Sequence, residues 1–169
     1  MGLEIERKFL VAGSDWREGV TSTQVLRQGY LTTGGTGVTV RVRTIDDAIG
    51  FITIKGGGSA LSRAEFEYEV PIADARQLLG LTHGTLIEKR RHLLDLPGGD
   101  WVVDEFGGRH AGLMLVEVEL DSPTAPLDLP DWLGPEVTGD PRYYNSSLAM
   151  PAGGEIQPVP GVLDTAVTL

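Results

Sequence analysis

Eight segments of this chain alternate polar with apolar residues at a period of two, and no other feature narrows the fold as much. In residues 3–11 (LEIERKFLV), Glu4, Glu6 and Lys8 share one face of a strand while Leu3, Ile5, Phe9 and Val11 share the other, because side chains alternate along a strand. Residues 38–44 set Val38, Val40 and Val42 against Thr39, Arg41 and Arg43 in the same way. The remaining strands are expected at 23–33, 51–55, 63–70, 85–96, 101–106 and 113–121. Turns at 34–37, 46–47, 97–100 and 107–112 are short enough to make most of the pairing antiparallel.

Helices are few. Residues 72–81 carry Ala73, Ala75, Leu78 and Leu79 at helical spacing behind Pro71, with Asp74 near the start. Residues 12–22 read as polar and irregular, with Ser14 and Asp15 able to cap a short turn. The stretch 130–134 reads as a turn-like or helical piece, and 141–150 (PRYYNSSLAM) fits a helix with proline in its first turn. The expected class is mainly β (α+β), with a single domain over residues 1–150 and a C-terminal tail, 151–169, whose role is unreadable.

Composition sets limits on chemistry. There are no cysteines, so disulfides and thiolate metal sites are excluded. The chain opens with no export signal and has no apolar run long enough for a membrane helix, so a cytoplasmic address is expected. A net charge of −10 argues against a nucleic-acid partner held by global attraction. Twelve of the fourteen Lys and Arg residues nonetheless lie at or before Arg91, so a local cationic site is compatible with an acidic protein.

The polar faces are unusual in carrying both signs of charge: Glu4, Glu6, Lys8, Arg41, Arg43, Lys55, Arg63, Glu65, Glu67, Glu69, Lys89, Arg91, Asp104, Glu117 and Glu119. Two readings fit. In a small open sheet such a face points to bulk water. Eight strands can instead close into a barrel, which removes exposed edges and turns the charged face inward. A charged interior must then be wet, paired and meant for a charged ligand, because unpaired buried charge costs several kcal/mol. Lys and Arg suit phosphate oxygens, and Glu and Asp suit a hard divalent cation. The glycines at 56–59 lack the spacing of a phosphate-cradling loop and read as a connector. An outer-membrane barrel shares the polar-inside pattern, but the helix at 72–81 and the lack of aromatic girdles argue against it.

In this order the motifs resemble the CYTH domain, or triphosphate tunnel metalloenzyme, family. The opening Glu4-Ile5-Glu6-Arg7-Lys8 matches its Glu-x-Glu-x-Lys signature, followed by Gln28 to Leu31, Arg41-Val42-Arg43, Thr53 to Gly56, Arg63 to Glu69, Lys89 to Arg91, Asp104, Glu117-Val118-Glu119 and Tyr143 to Ala149. The resemblance implies a closed eight-stranded antiparallel β-barrel with a few covering helices, Mg2+ or Mn2+, and a small-molecule triphosphate or nucleotide. It implies metal ligation by Glu4, Glu6, Glu117 and Glu119, supported by Glu67, Glu69 and Asp104. Phosphate would be bound by Lys8, Arg41, Arg43, Lys55, Arg63, Lys89 and Arg91. Tyr30 with Lys89 is a water-activating pair if the cation lowers the phenol's pKa. The short loops are similar to those of bacterial inorganic triphosphatases. A class IV adenylyl cyclase, a thiamine triphosphatase and a non-catalytic polyphosphate or nucleotide binder stay open as alternatives, as does a homodimer.

Overall fold

The computed structural model describes residues 2–32, 37–58 and 62–150. The turn expected at 34–37 and the loop at 56–59 fall partly outside these residues, and the tail 151–169 wholly so. The strands are β1 (Gly2–Val11), β2 (Val20–Tyr30), β3 (Val38–Ile45), β4 (Ile49–Gly58), β5 (Ser62–Val70), β6 (His83–Leu94), β7 (Asp100–Phe106), β8 (Met114–Glu119) and β9 (Leu133–Glu136). The helices are α1 (Ile72–Leu79) and α2 (Asn145–Leu148).

Eight strands run in the order β5-β4-β3-β2-β6-β7-β8-β1, and β1 pairs back with β5. Every pairing is antiparallel, so the sheet closes into a barrel. Registers bring the charged faces together: Glu6 lies opposite Glu119, Lys8 opposite Glu117, Arg91 opposite Asp104, Thr53 opposite both Arg41 and Glu67, and Lys55 opposite Glu65. Because the period is two, fixing one such pair in each strand sends all of that strand's apolar alternates outward.

The apolar exterior is covered in two places. Ile5, Phe9, Val103, Val116 and Val118 lie beneath Trp16, from a 3-10 turn at Asp15–Gly19, and beneath Leu127, Trp132 and Leu133. Val42 and Ile52 lie beneath α1 through Ala75 and Leu79. Gly50 makes this approach close, since a Cβ there would stand 2.5 Å from that of Ala75. Among the described residues no helix is long and apolar enough to cross a membrane.

Three expectations change. Residues 12–22 hold a helical turn followed by the start of β2, because Trp16 is anchored under the exterior core. The stretch 130–134 leads into β9, which pairs with Phe9 and Val11 on the edge of β1 above the point where β5 ends. Residues 141–150 form a 3-10 turn (Pro141–Tyr143) and the four-residue α2, broken by extended Tyr144. This segment seals an end of the barrel. Tyr143, Leu148 and Ala149 pack on Leu10, Tyr30, Ile87, Phe106 and Leu115, residues that continue the charged faces upward as apolar ones. Each buried side chain of this size contributes about 1.5–3 kcal/mol. Gly84, at φ +77°, lets Ala149 approach, since a Cβ there would lie 2.1 Å from its carbonyl oxygen.

Candidate active site

The interior is a lattice of carboxylates and cations. Glu4 accepts from Lys55 Nζ at 2.6 Å and from Arg63 Nε at 2.8 Å. Burial works against its charge, but Lys55 and Arg63 outweigh it and hold the carboxyl at about 2. Glu117 sits between Lys8 at 3.0 Å and Arg91 at 2.7 Å, which overcome its burial and hold it well below the usual range. Glu6 and Glu119 differ. Burial, then the charge of Glu117, pushes Glu6 up, and burial, then Glu4 and Asp100, pushes Glu119 up. Four carboxylates at the β1–β8 seam therefore crowd one another and are only partly neutralised.

Across the barrel, Arg41 donates to Thr53 Oγ1 at 2.9 Å and to Glu67 at 3.3 Å, and Arg43 donates to Glu67 at 2.9 Å. Thr53 Oγ1 in turn donates to Glu67 at 2.6 Å. Lys55 bridges Glu4 and Glu65, and Arg63 bridges Glu4 and Glu6. Burial, then Arg41, lowers the Arg43 guanidinium, a sign of cations held against one another.

Asp104 is fully buried, with Lys89 Nζ at 2.5 Å and the Arg91 Nε and Nη2 at 2.8 and 2.7 Å. One carboxylate thus serves two cations. Burial, then Arg91, brings Lys89 down to about 8 in spite of Asp104, because Asp104 is shared. Arg91 moves up: its burial is outweighed by Asp104.

Two cavities open among these groups. The larger, about 410 Å³, is lined by Glu4, Glu6, Glu65, Glu67, Glu117 and Glu119 together with Arg41, Arg43, Lys55, Arg63 and Arg91. The smaller, about 40 Å³, adds Lys8 and Tyr30. Together the linings hold six cations and six carboxylates, so formal charge balances, and a ligand bringing both signs keeps it balanced.

Most residues expected at the site are brought together here, but four are placed differently. Lys89 and Asp104 line neither cavity; they stand behind Arg91. Glu69 is exposed at the lower end of β5 and also lines neither. Tyr30 and Lys89 are engaged separately: Tyr30 Oη accepts from Gln28 Nε2 at 3.2 Å, while Lys89 is bound to Asp104 and lies over the Phe106 ring. Lys89 is paired with Leu26, four residues from Tyr30 along β2, a separation of about 13 Å. Burial pushes the Tyr30 phenol up rather than down.

Thr53, Gln28 and Asn145 complete the site; the sequence places them within family-like motifs without giving them a role. Thr53 falls on the charged face by alternation, and Asn145 lies in the Tyr143 to Ala149 motif of the end segment. Among the described residues no three acidic or histidine side chains already converge as a metal site would require. The donor set nevertheless fits a hard divalent cation: four carboxylates at one seam, two of them pushed up by burial and then by neighbouring carboxylates, supply oxygen ligands whose repulsion such an ion relieves.

Comparison with known proteins agrees with this geometry. Residues 2–144 match the CYTH domain model. The chain is 43% identical over 149 residues to an inorganic triphosphatase of Acetivibrio thermocellus, covering 88% of this chain and 94% of the relative. It is 41% identical over 150 residues to an inorganic triphosphatase of Nitrosomonas europaea, covering 87% and 97%. A crystal structure of an inorganic triphosphatase superposes with a TM-score of 0.65 at 38% identity, covering 89% of this chain and 96% of that one. Signature strand, closed barrel, two-signed interior and family match coincide over the same residues, and the chain belongs to the CYTH family.

Proposed function

We propose that this protein is a divalent-metal-dependent triphosphatase that hydrolyses inorganic triphosphate, or a compound bearing a free triphosphate, releasing orthophosphate. The observation that carries the reading is the balanced lining of six cations and six carboxylates inside a closed barrel. Two relatives above 40% identity named inorganic triphosphatase support the choice of substrate.

Glu4, Glu6, Glu117 and Glu119 would hold the cation, Mg2+ or Mn2+, which when bound supplies Lewis-acid polarisation of phosphoryl oxygens. Lys8, Arg41, Arg43, Lys55, Arg63 and Arg91 grip the phosphates by exchanging their carboxylate partners for phosphate oxygens, which suits guanidinium geometry. Tyr30, kept protonated by burial, donates its hydroxyl to a phosphate oxygen. Asp104 and Lys89 act from behind, holding Arg91 in place. Water attacks the terminal phosphorus in line, the bridging P–O bond breaks, and positioning plus charge neutralisation supply most of the acceleration. The reaction takes place in the cytoplasm.

The test is a substrate panel: purified protein with Mg2+ or Mn2+ and tripolyphosphate, ATP, thiamine triphosphate or pyrophosphate. Orthophosphate release, fastest from tripolyphosphate, is expected. No release from any of them refutes the hydrolase reading, and cyclic AMP from ATP would replace it with a cyclase.

A further inference from the structure

One strand of the barrel is bare on two sides. β5 pairs with β1 only from Ser62 to Glu65, so its edge from Phe66 to Val70 has no strand partner on that side among the described residues. Phe66 and Tyr68 also point outward, beside Ile54 and Ile52 of β4, because Glu65, Glu67 and Glu69 hold the alternate phase. Tyr68 is 58% and Ile54 37% exposed, and Ile54, Phe66 and Tyr68 belong to none of the covered apolar clusters. An unpaired edge with an apolar face is a template for another strand, and folded chains cover it.

The C-terminal tail holds a segment of matching character. Its prolines (Pro151, Pro158, Pro160) and glycines (Gly153, Gly154, Gly161) all precede residue 162, whereas 162–169 (VLDTAVTL) has neither type and a single charge, Asp164. Val162, Thr165, Val167 and Thr168 are β-branched, as strands favour. We propose that residues 162–169 pair along the free edge of β5, laying Leu163, Val167 and Leu169 beside Phe66 and Tyr68 on the outer face. In an extended chain these three share one side, with Asp164, Ala166 and Thr168 on the other. Reach permits the pairing. Ser146 and Arg63 line the same cavity, so the end segment already passes the start of β5. From Arg63 to Val70 is about 23 Å of strand, and residues 151–161 extend to about 36 Å. A second copy fits less well: symmetric pairing of two β5 edges sets Glu67 and Glu69 against their own like charges, between chains of net charge −10, whereas the tail brings only Asp164 to that side.

The test compares full-length proteins: wild type, Tyr68→Asp, a tail variant carrying Leu163→Asp with Val167→Asp, and the combination of these changes. Amide hydrogen exchange over residues 66–70 is expected to be at least about tenfold slower in wild type than in the tail variant. Melting temperatures complete the cycle. Tyr68→Asp and the tail variant should each lower Tm by about 3 °C, and the combination should lose little more than either, since both break the same contact. Equal exchange in wild type and tail variant, or Tm losses that simply add, overturns the inference. Light scattering on dilution identifies the other occupant: protection of 66–70 that disappears as a dimer dissociates assigns the edge to a second copy and overturns the inference as well. Phosphate release is read separately and bears only on the triphosphatase reading.

Discussion

Asp104→Asn isolates the buried charge network behind the site. The substitution keeps the shape of the side chain but leaves Lys89, 1% exposed, and Arg91, 19% exposed, facing a neutral amide at 2.5 to 2.8 Å. Removing one partner of a buried ion pair costs about 3–5 kcal/mol. Lys89 can recover part of this by losing its proton, since it stands at about 8 even with Asp104 present; a net loss of about 3 kcal/mol is expected, or roughly 10 °C in Tm for a domain of this size. The pH dependence has a definite sign. In the variant the folded pKa of Lys89 falls further below its unfolded value of about 10.4, so between those values the unfolded chain binds more protons and stability rises with pH. Wild-type Lys89 follows the same slope once pH passes about 8, so the deficit should shrink between pH 7 and about 8 and stay level from there to pH 10. Urea melts of both proteins across that range measure it. A deficit under about 1 kcal/mol at pH 7, or one that widens as pH rises, refutes the view that Asp104 compensates these two cations.

Other residues give separate tests. Glu119 has no ion pair among the described residues and is pushed up by burial and by Glu4 and Asp100, so Glu119→Gln should leave Tm equal or higher while lowering turnover at least about 100-fold, as expected for loss of transition-state charge stabilisation; melting curves and phosphate release check the two halves. For metal-free protein, Glu6, Glu65 and Glu119 are raised and gain stability as pH falls toward 4.5, whereas Glu4, held at about 2, loses its contribution from there down. On the acidic side Tm should therefore rise as pH falls from 7 toward 4.5 and drop again below it, and a Tm that falls steadily from pH 7 to 4.5 would contradict the carboxylate crowding. Gly84→Ala drives a Cβ to 2.1 Å from the Ala149 carbonyl oxygen at a positive φ and should cost about 2 kcal/mol or more by strain and by loosening the end segment; a melt within about 0.5 kcal/mol of wild type contradicts the close docking.

The barrel was legible because its code is periodic. Once Glu4, Glu6 and Lys8 share a face, the same phase in the other strands defines an interior, and only the presence of both charges distinguishes that interior from a solvated sheet. β9 was not legible: it has four residues, including Gly134 and Pro135, and pairs only at an edge where a missing N–H does no harm. The end segment was expected as a helix because PRYYNSSLAM carries the right start signals, but Tyr143 and Leu148 are both drawn into the barrel end and Tyr144 stays extended between them. Residue roles were legible by type and not by partner. Asp104 looks like Glu117 in sequence, yet strand tilt carries it behind Arg91, and Lys89 follows it. Such depth depends on how the strands stagger around the barrel, which no single strand encodes.

The measurement that bears most directly on the tunnel as a metal–triphosphate site is the initial rate of orthophosphate release from tripolyphosphate as Mn2+ or Mg2+ is titrated into metal-free protein. The two-signed lining predicts no turnover in EDTA, a rate that rises and saturates with metal, and one orthophosphate released for each pyrophosphate formed. A rate independent of metal, or none at saturating metal and substrate, would contradict it.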